Sequence, residues 1–144
     1  MSIWKKEFTL DGLNEMTKDT AVENLGITIT KIGENSIEGE MPVDFRTCQV
    51  RKLLHGGASA LLVETLGSIG GAMAAKQGYT IAGIEINANH VGGISSGYVV
   101  GIATAVHIGK TTHVWDVKIH EKGTNRAICV GRLTLAVINL NKNS

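Results

Sequence analysis

The sequence is poor in aromatic residues, proline and cysteine, and its charges nearly balance. Tryptophan, tyrosine and phenylalanine occur twice each among 144 residues, whereas glycine occurs 18 times. The core must therefore be largely aliphatic and must rely on close approach of the backbone. The net charge of +1 provides no basic footprint for nucleic acid or for an anionic membrane surface.

The two cysteines and the amino-terminal residues give information on the cellular compartment of the protein. Cys48 and Cys129 lack the short spacings of zinc or redox motifs. We interpret them as reduced thiols, which favours a cytoplasmic protein without a metal. The amino-terminal residues, MSIWKKEFTLDG, lack the apolar core of a signal peptide.

Residues 86–109 carry no Lys, Arg, Asp or Glu, and the segment is nearly as long as a membrane span. Asparagine, serine, histidine and glycine residues interrupt it, and its apolar residues alternate after Gly97. Alternation with a period of two is typical of strands. We therefore predict strands here and no membrane association.

The stretch of residues 53–76, LLHGGASALLVETLGSIGGAMAAK, is the most distinctive part of the chain. It opens with His-Gly-Gly and continues with about six turns of helix-compatible sequence. Leu62, Leu66, Ile69 and Met73 recur at helical spacing, which predicts a buried helix. Glu64 is its single acidic residue, and a carboxylate on such a helix is costly unless it is paired, lies at an interface or is used chemically.

Strands are predicted on both sides of this helix. The first two form a hairpin, the last four favour an antiparallel meander, and the final strand is central or lies at an interface. An amphipathic segment at residues 10–18 packs across an edge of the fold. This pattern predicts a single α+β domain over residues 1–144, in which a curved antiparallel sheet wraps around one long central helix. The predicted strands are residues 25–31, 36–43, 81–89, 97–107, 114–121 and 127–138.

The segment LLHGGASALLVETLGSIGG, with MPVDFRTCQ before it and GIEINANH, VW and RLTLAV after it, resembles the hotdog-fold acyl-CoA thioesterases. The resemblance covers nearly the whole chain. It is strongest to the group with a catalytic glutamate, which includes the hydroxybenzoyl-CoA and dihydroxynaphthoyl-CoA thioesterases and the PaaI-type enzymes. It implies hydrolysis of an acyl-CoA, aroyl-CoA or acylated carrier protein to a free acid and a thiol, without a cofactor. It also implies a homodimer at minimum and a homotetramer as a dimer of dimers.

The resemblance implies roles for individual residues. Glu64 attacks the thioester carbon or activates water, and the Gly56 amide polarises the thioester carbonyl. Gln49 donates to that carbonyl or holds the water, His55 supports the loop or contacts the thioester, and Ser68 orients the carboxylate or the water. The implied substrate-binding residues are Gly57, Asn89, His90 and Val91.

The residues by themselves also allow simpler interpretations. Glu64 can be an interface residue, His55 a helix-entry residue and Ser68 a small packing residue. Gly56 and Glu64 are eight residues apart, about 12 Å along one helix, so they cannot contact one carbonyl within the same chain. The resemblance implies a site shared by two subunits.

Two segments depart from the family pattern. Val50, Arg51 and Lys52 replace Pro-Phe-Gly, and glycines follow Val91 where many relatives carry an arginine that holds the nucleotide of CoA. We expect Arg51, Lys52 or Lys110 to compensate, since phosphates bind nearby cationic donors. The alternative functions are a hotdog hydratase or dehydratase and a noncatalytic acyl-CoA-binding module.

Overall fold

A computed structural model describes residues 1–142, in which six strands form one antiparallel sheet around a long helix. The predicted α+β architecture is confirmed. Two short helices precede the sheet. The first lies within the predicted amphipathic segment, whereas the second helix and a final 3-10 turn were not predicted. The elements are α1 (Leu10–Met16), α2 (Ala21–Asn24), β1 (Thr28–Ile32), β2 (Ser36–Pro42), α3 (Gly56–Ala74), β3 (Tyr79–His90), β4 (Tyr98–Ile108), β5 (Thr112–Glu121), β6 (Ala127–Asn139) and the turn Leu140–Lys142.

The strand order in the sheet is β1-β2-β4-β5-β6-β3. The β1–β2 hairpin is confirmed, as are the β4–β5–β6 meander and the internal position of β6. The predicted meander is wrong at its first link, because β3 pairs with β6 instead of β4. Residues 91–97 therefore cross from one end of the sheet towards its middle, and β3 becomes an edge strand.

Glycines on α3 let the helix lie close against the sheet. A β-carbon built on Gly67 would lie 2.6 Å from the Leu133 side chain, and one on Gly70 would lie 2.7 Å from Trp115. A β-carbon on Gly71 would lie even closer to the Leu135 side chain. Glycine in a helix costs about 1 kcal/mol per position relative to alanine. The contacts explain this cost, because any larger residue at these positions would clash with side chains of the sheet.

Trp115 on β5 is the largest fully buried side chain. Its indole stacks on Trp4, with ring centroids 6.1 Å apart. Its indole Nε1 has no hydrogen-bond partner within residues 1–142. The indole N–H of Trp4, by contrast, has a hydrogen-bond partner, because its Nε1 donates to the Gly33 carbonyl at 2.8 Å.

The predicted amphipathic segment forms α1, which packs against β1. Leu13 is buried, but Met16 is 67% exposed, so the buried stripe is narrower than its helical spacing suggested. Thr9 is the N-cap of this helix, and its hydroxyl accepts from the Gly12 N–H at 3.0 Å.

Residues 86–108 belong to β3, β4 and their connection, which confirms the prediction of strands. By length and composition, α3 is long and apolar enough to cross a membrane, and 56% of its most apolar window is buried inside the fold. The core helix of a soluble protein has the same properties, so this observation is weak evidence for a span.

Candidate functional site

The loop that enters α3 is held by its own backbone and by His55. The His55 N–H donates to the Thr47 carbonyl at 2.8 Å, and Cys48 pairs with Leu54 as an isolated bridge. His55 is the N-cap of α3, and its Nδ1 accepts from the Gly57 N–H at 2.7 Å. An accepting Nδ1 leaves the proton of the neutral imidazole on Nε2, which makes His55 a donor towards solvent.

Gln49 lies in the same loop. Its backbone N–H donates to the Leu53 carbonyl at 2.8 Å, and its side-chain Oε1 accepts from the Arg51 N–H. Within residues 1–142 the side-chain amide N–H groups of Gln49 make no hydrogen bond. The turn therefore fixes the orientation of this side chain and leaves its donor groups available.

Gly56 is the first residue of α3 and lies beneath His90 of β3. A β-carbon on Gly56 would lie 2.6 Å from His90 Nε2, so only glycine allows the imidazole this close. The Gly56 N–H has no hydrogen-bond acceptor within residues 1–142. A helix start carries a partial positive charge, and here it combines a free amide with a nearby imidazole.

The other predicted substrate-binding residues are arranged differently. Asn89 is next to His90 on β3, but its side-chain amide donates to the Val130 carbonyl on β6 at 3.2 Å. Val91 is 59% exposed at the end of β3. Gly57 is also exposed, and its N–H is occupied by His55.

Glu64 lies two turns further along α3 and is half-buried. Its Oε1 occupies the space above Gly83 of β3, only 2.6 Å from where a β-carbon would lie. The carboxylate makes no hydrogen bond or salt bridge with the rest of the described chain. An acid that is partly buried and unpaired is a candidate functional group.

Glu64 and Ser68 line a groove of about 340 Å³ between α3 and the two short helices. Most of its other walls are apolar. An unpaired carboxylate beside an apolar groove can act on a polar bond whose neighbouring group is hydrophobic. The apolar walls come from Leu13, Met16, Val22 and Ile69.

The structure thus brings His55, Gly56 and His90 together at the start of α3, with Gln49 in the loop that precedes it. Glu64 and Ser68 form a second group: Glu64 lies about 12 Å along the helix from Gly56, and Ser68 lies about one turn further. Within one chain the two groups do not join. Sequence reasoning missed Gly83, although a glycine inside a strand pattern is a recognised sign of close approach by another group.

Cationic residues occur near both ends of α3. Arg51 and Lys52 are exposed in the loop beside Gln49, whereas Lys110 lies at the opposite end of the helix. Arg46 is paired with Asp44 at 2.7 Å and lowers the pKa of that carboxyl. In residues 1–142 no group of three or more His, Cys, Asp or Glu residues is placed to hold a metal ion.

Residues 52–128 match the model of the thioesterase superfamily. The chain is 42% identical to the proofreading thioesterase EntH of Cronobacter sakazakii over 136 residues, which is 94% of this chain and 98% of that protein. Its structure is similar to that of thioesterase HI1161 from Haemophilus influenzae, with a TM-score of 0.95, 45% identity and 98% of each chain covered.

A second solved structure, a variant of thioesterase PA1618 from Pseudomonas aeruginosa, is 40% identical and has a TM-score of 0.91. It covers 95% of this chain, and 99% of that chain is covered in turn. These similarities extend over α3 and the whole sheet. The chain therefore belongs to the thioesterase superfamily, has the hotdog fold and is a thioester hydrolase.

Proposed function

We propose that the substrate is an acyl- or aroyl-CoA thioester, which the enzyme hydrolyses to a free acid and CoA with Glu64 as nucleophile or general base. The observation that carries this proposal is the unpaired Glu64 carboxylate, held over Gly83 beside an apolar groove. The groove offers room for the acyl group next to the carboxylate. A thioester of a carrier protein presents the same reacting atoms and is the closest alternative substrate.

Gly56 supplies the electrophilic half of the site. Its backbone N–H points from a helix start and is free to donate to the thioester oxygen, where negative charge develops during attack. His55 supports this arrangement, because it caps the next amide and so leaves the Gly56 amide as the exposed donor. His90, packed on Gly56, limits the direction from which the carbonyl approaches.

Two routes are open to Glu64. As a nucleophile, its carboxylate oxygen bonds to the thioester carbon, the carbon–sulfur bond breaks, and the CoA thiolate leaves and takes up a proton. Water then hydrolyses the resulting anhydride to the free acid and regenerates the carboxylate. As a general base, Glu64 takes a proton from water, the water oxygen attacks the carbon, and the proton passes to the departing thiolate.

The remaining predicted residues act by holding atoms in place. The free amide donors of Gln49 point to a role on the carbonyl or on the attacking water. We assign to Ser68, one turn beyond Glu64, the role of orienting the carboxylate. Gly57, Asn89 and Val91 form the surroundings of the helix start, where the pantetheine arm enters.

Joining the two groups of residues requires a homodimer. Because β3 is an edge strand, its free side can pair with β3 of a second copy. Ile84 and Ile86 on this strand are 62% and 39% exposed, which gives the pairing an apolar contribution. We propose this dimer as the minimal active unit and a dimer of dimers as the full assembly.

Gly83 offers a direct test of how Glu64 is positioned. We expect Gly83→Ala to lower kcat roughly 10- to 100-fold, because the added methyl group pushes the Glu64 carboxylate out of its position over β3. The fold should tolerate the change, since only the flexible end of a side chain must move. Alanine is also more favourable than glycine in a strand.

Steady-state kinetics and the thermal unfolding midpoint measured on the same preparations check this prediction. Gly93→Ala is the matched control, because its added methyl meets Leu53 at an ordinary 3.6 Å. Normal turnover in Gly83→Ala would mean that the observed position of Glu64 is unimportant. A large fall in the unfolding midpoint would mean that Gly83 serves the fold instead.

The substrate proposal is tested by thiol release from a panel of aromatic and aliphatic acyl-CoA thioesters, with products identified by mass spectrometry. We expect a free acid and CoA from at least one member of the panel. A product with an altered acyl chain and an intact thioester would favour the hydratase or dehydratase alternative. Tight binding without turnover of any acyl-CoA or carrier-protein thioester would favour a binding module.

A further inference from the structure

The crossover that follows β3, residues 91–97, lies beside the start of α3. Its Ile94 carbonyl accepts from the N–H of Leu54, two residues before α3, at 2.8 Å. A β-carbon on Gly93 would lie 3.6 Å from the Leu53 side chain. The proposed entrance of the pantetheine arm therefore borders this crossover, so cationic residues that lie against it deserve examination as contacts of the substrate.

Arg126 lies directly against the crossover. Its Nη1 donates to the Gly93 carbonyl at 2.8 Å, and a β-carbon on Gly92 would lie 3.4 Å from the same nitrogen. Its Nε donates to Glu121 at 3.2 Å, which fixes the orientation of the guanidinium. Within residues 1–142 its Nη2 makes no hydrogen bond, and the side chain is 45% exposed. The guanidinium therefore keeps N–H donors for an anion.

The ion pair with Glu121 does not neutralise Arg126 against a ligand. Both side chains of the pair are partly exposed to solvent, and ion pairs of this kind are weak. The Glu121 carboxylate also accepts from the Thr124 hydroxyl at 3.0 Å, so it is held on the hairpin between β5 and β6. A phosphate can therefore bind the free side of the guanidinium while Glu121 keeps its position.

Lys52 lies near a second point of the crossover. Together with Gln49 and Ser95 it lines a groove of about 270 Å³. Its ammonium group makes no hydrogen bond or salt bridge with the rest of the described chain. Asp44 is the only acid among the described residues that line this groove, and it is paired with Arg46 at 2.7 Å. The charge of Lys52 is therefore available to a ligand.

Lys52 has a backbone conformation that lysine rarely adopts. Its φ is 64°, in the left-handed region that favours glycine. The turn imposes this conformation, since the Lys52 N–H donates to the Gln49 carbonyl at 2.9 Å. Glycine would form the same turn without strain, so the fold does not explain why a lysine occupies the position. A strained cation beside a candidate site favours a functional explanation.

The length of CoA fits these positions. His90 packs on Gly56, the proposed amide donor, and Gly93 is three residues after His90, at most about 11 Å along the chain. The pantetheine arm has about 13 bonds between sulfur and phosphorus and so reaches roughly 15 Å when extended. An arm that enters at the start of α3 can therefore place its phosphates beside the crossover while the thioester lies at Gly56.

We propose that Lys52 and Arg126 bind the phosphate groups of CoA beside the crossover. This inference rests on the proposed acyl-CoA hydrolysis and names the residues that favour CoA as the carrier of the acyl group. CoA has a diphosphate and a ribose phosphate for two cations to bind, whereas the phosphopantetheine of a carrier protein has a single phosphate. Lys52 was one of three cationic residues expected from the sequence, and Arg126 was not among them.

The test compares one acyl group carried on CoA and on pantetheine, which has the same arm without phosphates. We expect the double variant Lys52→Gly/Arg126→Gln to raise KM for the acyl-CoA at least about 10-fold with little change in kcat. Its kcat/KM for the acyl-pantetheine should stay within about twofold of wild type. Lys118→Gln is the matched control and should change neither substrate, because Lys118 is exposed on β5 and makes no ion pair within residues 1–142.

The single variant Lys52→Gly separates the loss of charge from damage to the fold. Removing the strain should raise the unfolding midpoint by about 2–4 °C. KM for the acyl-CoA should nevertheless rise roughly 3-fold or more. Lys52→Arg keeps a cation in the same conformation, so its KM should remain near that of wild type.

Calorimetric binding of CoA itself needs no turnover and separates this inference from the function on which it rests. If no thioester is hydrolysed but the double variant binds CoA at least about 10-fold more weakly than wild type, the proposed function fails and the phosphate contacts stand. If the double variant binds CoA as wild type does, the phosphate contacts are wrong. An equal rise in KM for the acyl-pantetheine would mean that the two residues shape the entrance of the arm, and would also overturn the inference.

Discussion

Replacing Glu64 with alanine is expected to lower kcat for thioester hydrolysis about 10³-fold, within the range for loss of a general base or nucleophile. The carboxylate is the only acidic group on α3, and it has no partner in the described chain whose loss could cause an indirect effect. Glu64→Gln keeps the shape of the side chain but cannot accept a proton at neutral pH. It should therefore be nearly as impaired as the alanine variant.

The measurement is thiol release under saturating substrate, with circular dichroism and the unfolding midpoint as checks on the fold. Glu7→Ala is the control, because Glu7 is exposed and makes no ion pair within residues 1–142. KM should change less than kcat, since the carboxylate is required in the transition state more than for binding. Turnover within threefold of wild type in Glu64→Ala would remove this residue from the chemistry.

The central helix could be predicted from sequence because its signal is local. Apolar residues recur at helical spacing, and no charge occurs between Glu64 and Lys76. Glycines inside a helix are costly, and the structure gives the reason for them in the close contacts with Leu133, Trp115 and Leu135. The partner atoms themselves were not predictable, because they come from strands far along the chain.

The position of β3 shows where local signals end. Its residues identify a strand, but alternation does not say which strand is its neighbour. The sequence order suggested β4, whereas the chain instead crosses over and pairs β3 with β6. This difference bears on the proposed dimer, because an edge position leaves Ile84 and Ile86 exposed.

The candidate site likewise has a part that was predictable from sequence and a part that was not. Its first residues, around His55 and Glu64, came from a motif that is contiguous in sequence. The packing of His90 on Gly56 and of Glu64 over Gly83 depends on how β3 lies against α3, so no sequence spacing could reveal it. A cavity at the carboxyl-terminal end of α3 is less predictable still, since the lysines that line it, Lys5, Lys76 and Lys110, come together only through the tertiary fold.

The distance between Gly56 and Glu64 leads to a second prediction of large effect. If each site takes its amide from one subunit and its carboxylate from the other, two inactive variants can restore activity together. Gly56→Val places side-chain atoms against His90 and blocks the approach to the amide, while Glu64→Ala removes the carboxylate. Each homodimer is expected to lose at least about 10²-fold in kcat.

Mixed dimers contain one site with both substitutions and one site with neither. Random exchange makes half of the dimers mixed, so about a quarter of all sites regain the native pair of residues. Co-expression of the two variants with different affinity tags, followed by tandem purification, isolates assemblies that contain both variants, in which each mixed dimer should have about half of the wild-type turnover. Native mass spectrometry confirms the composition, and self-mixed Glu64→Ala provides the baseline. If the mixed dimers are no more active than that baseline, the two groups do not meet across the dimer. They cannot meet within one chain either, because they lie about 12 Å apart along α3. Gly56 or Glu64 would then have a structural role only.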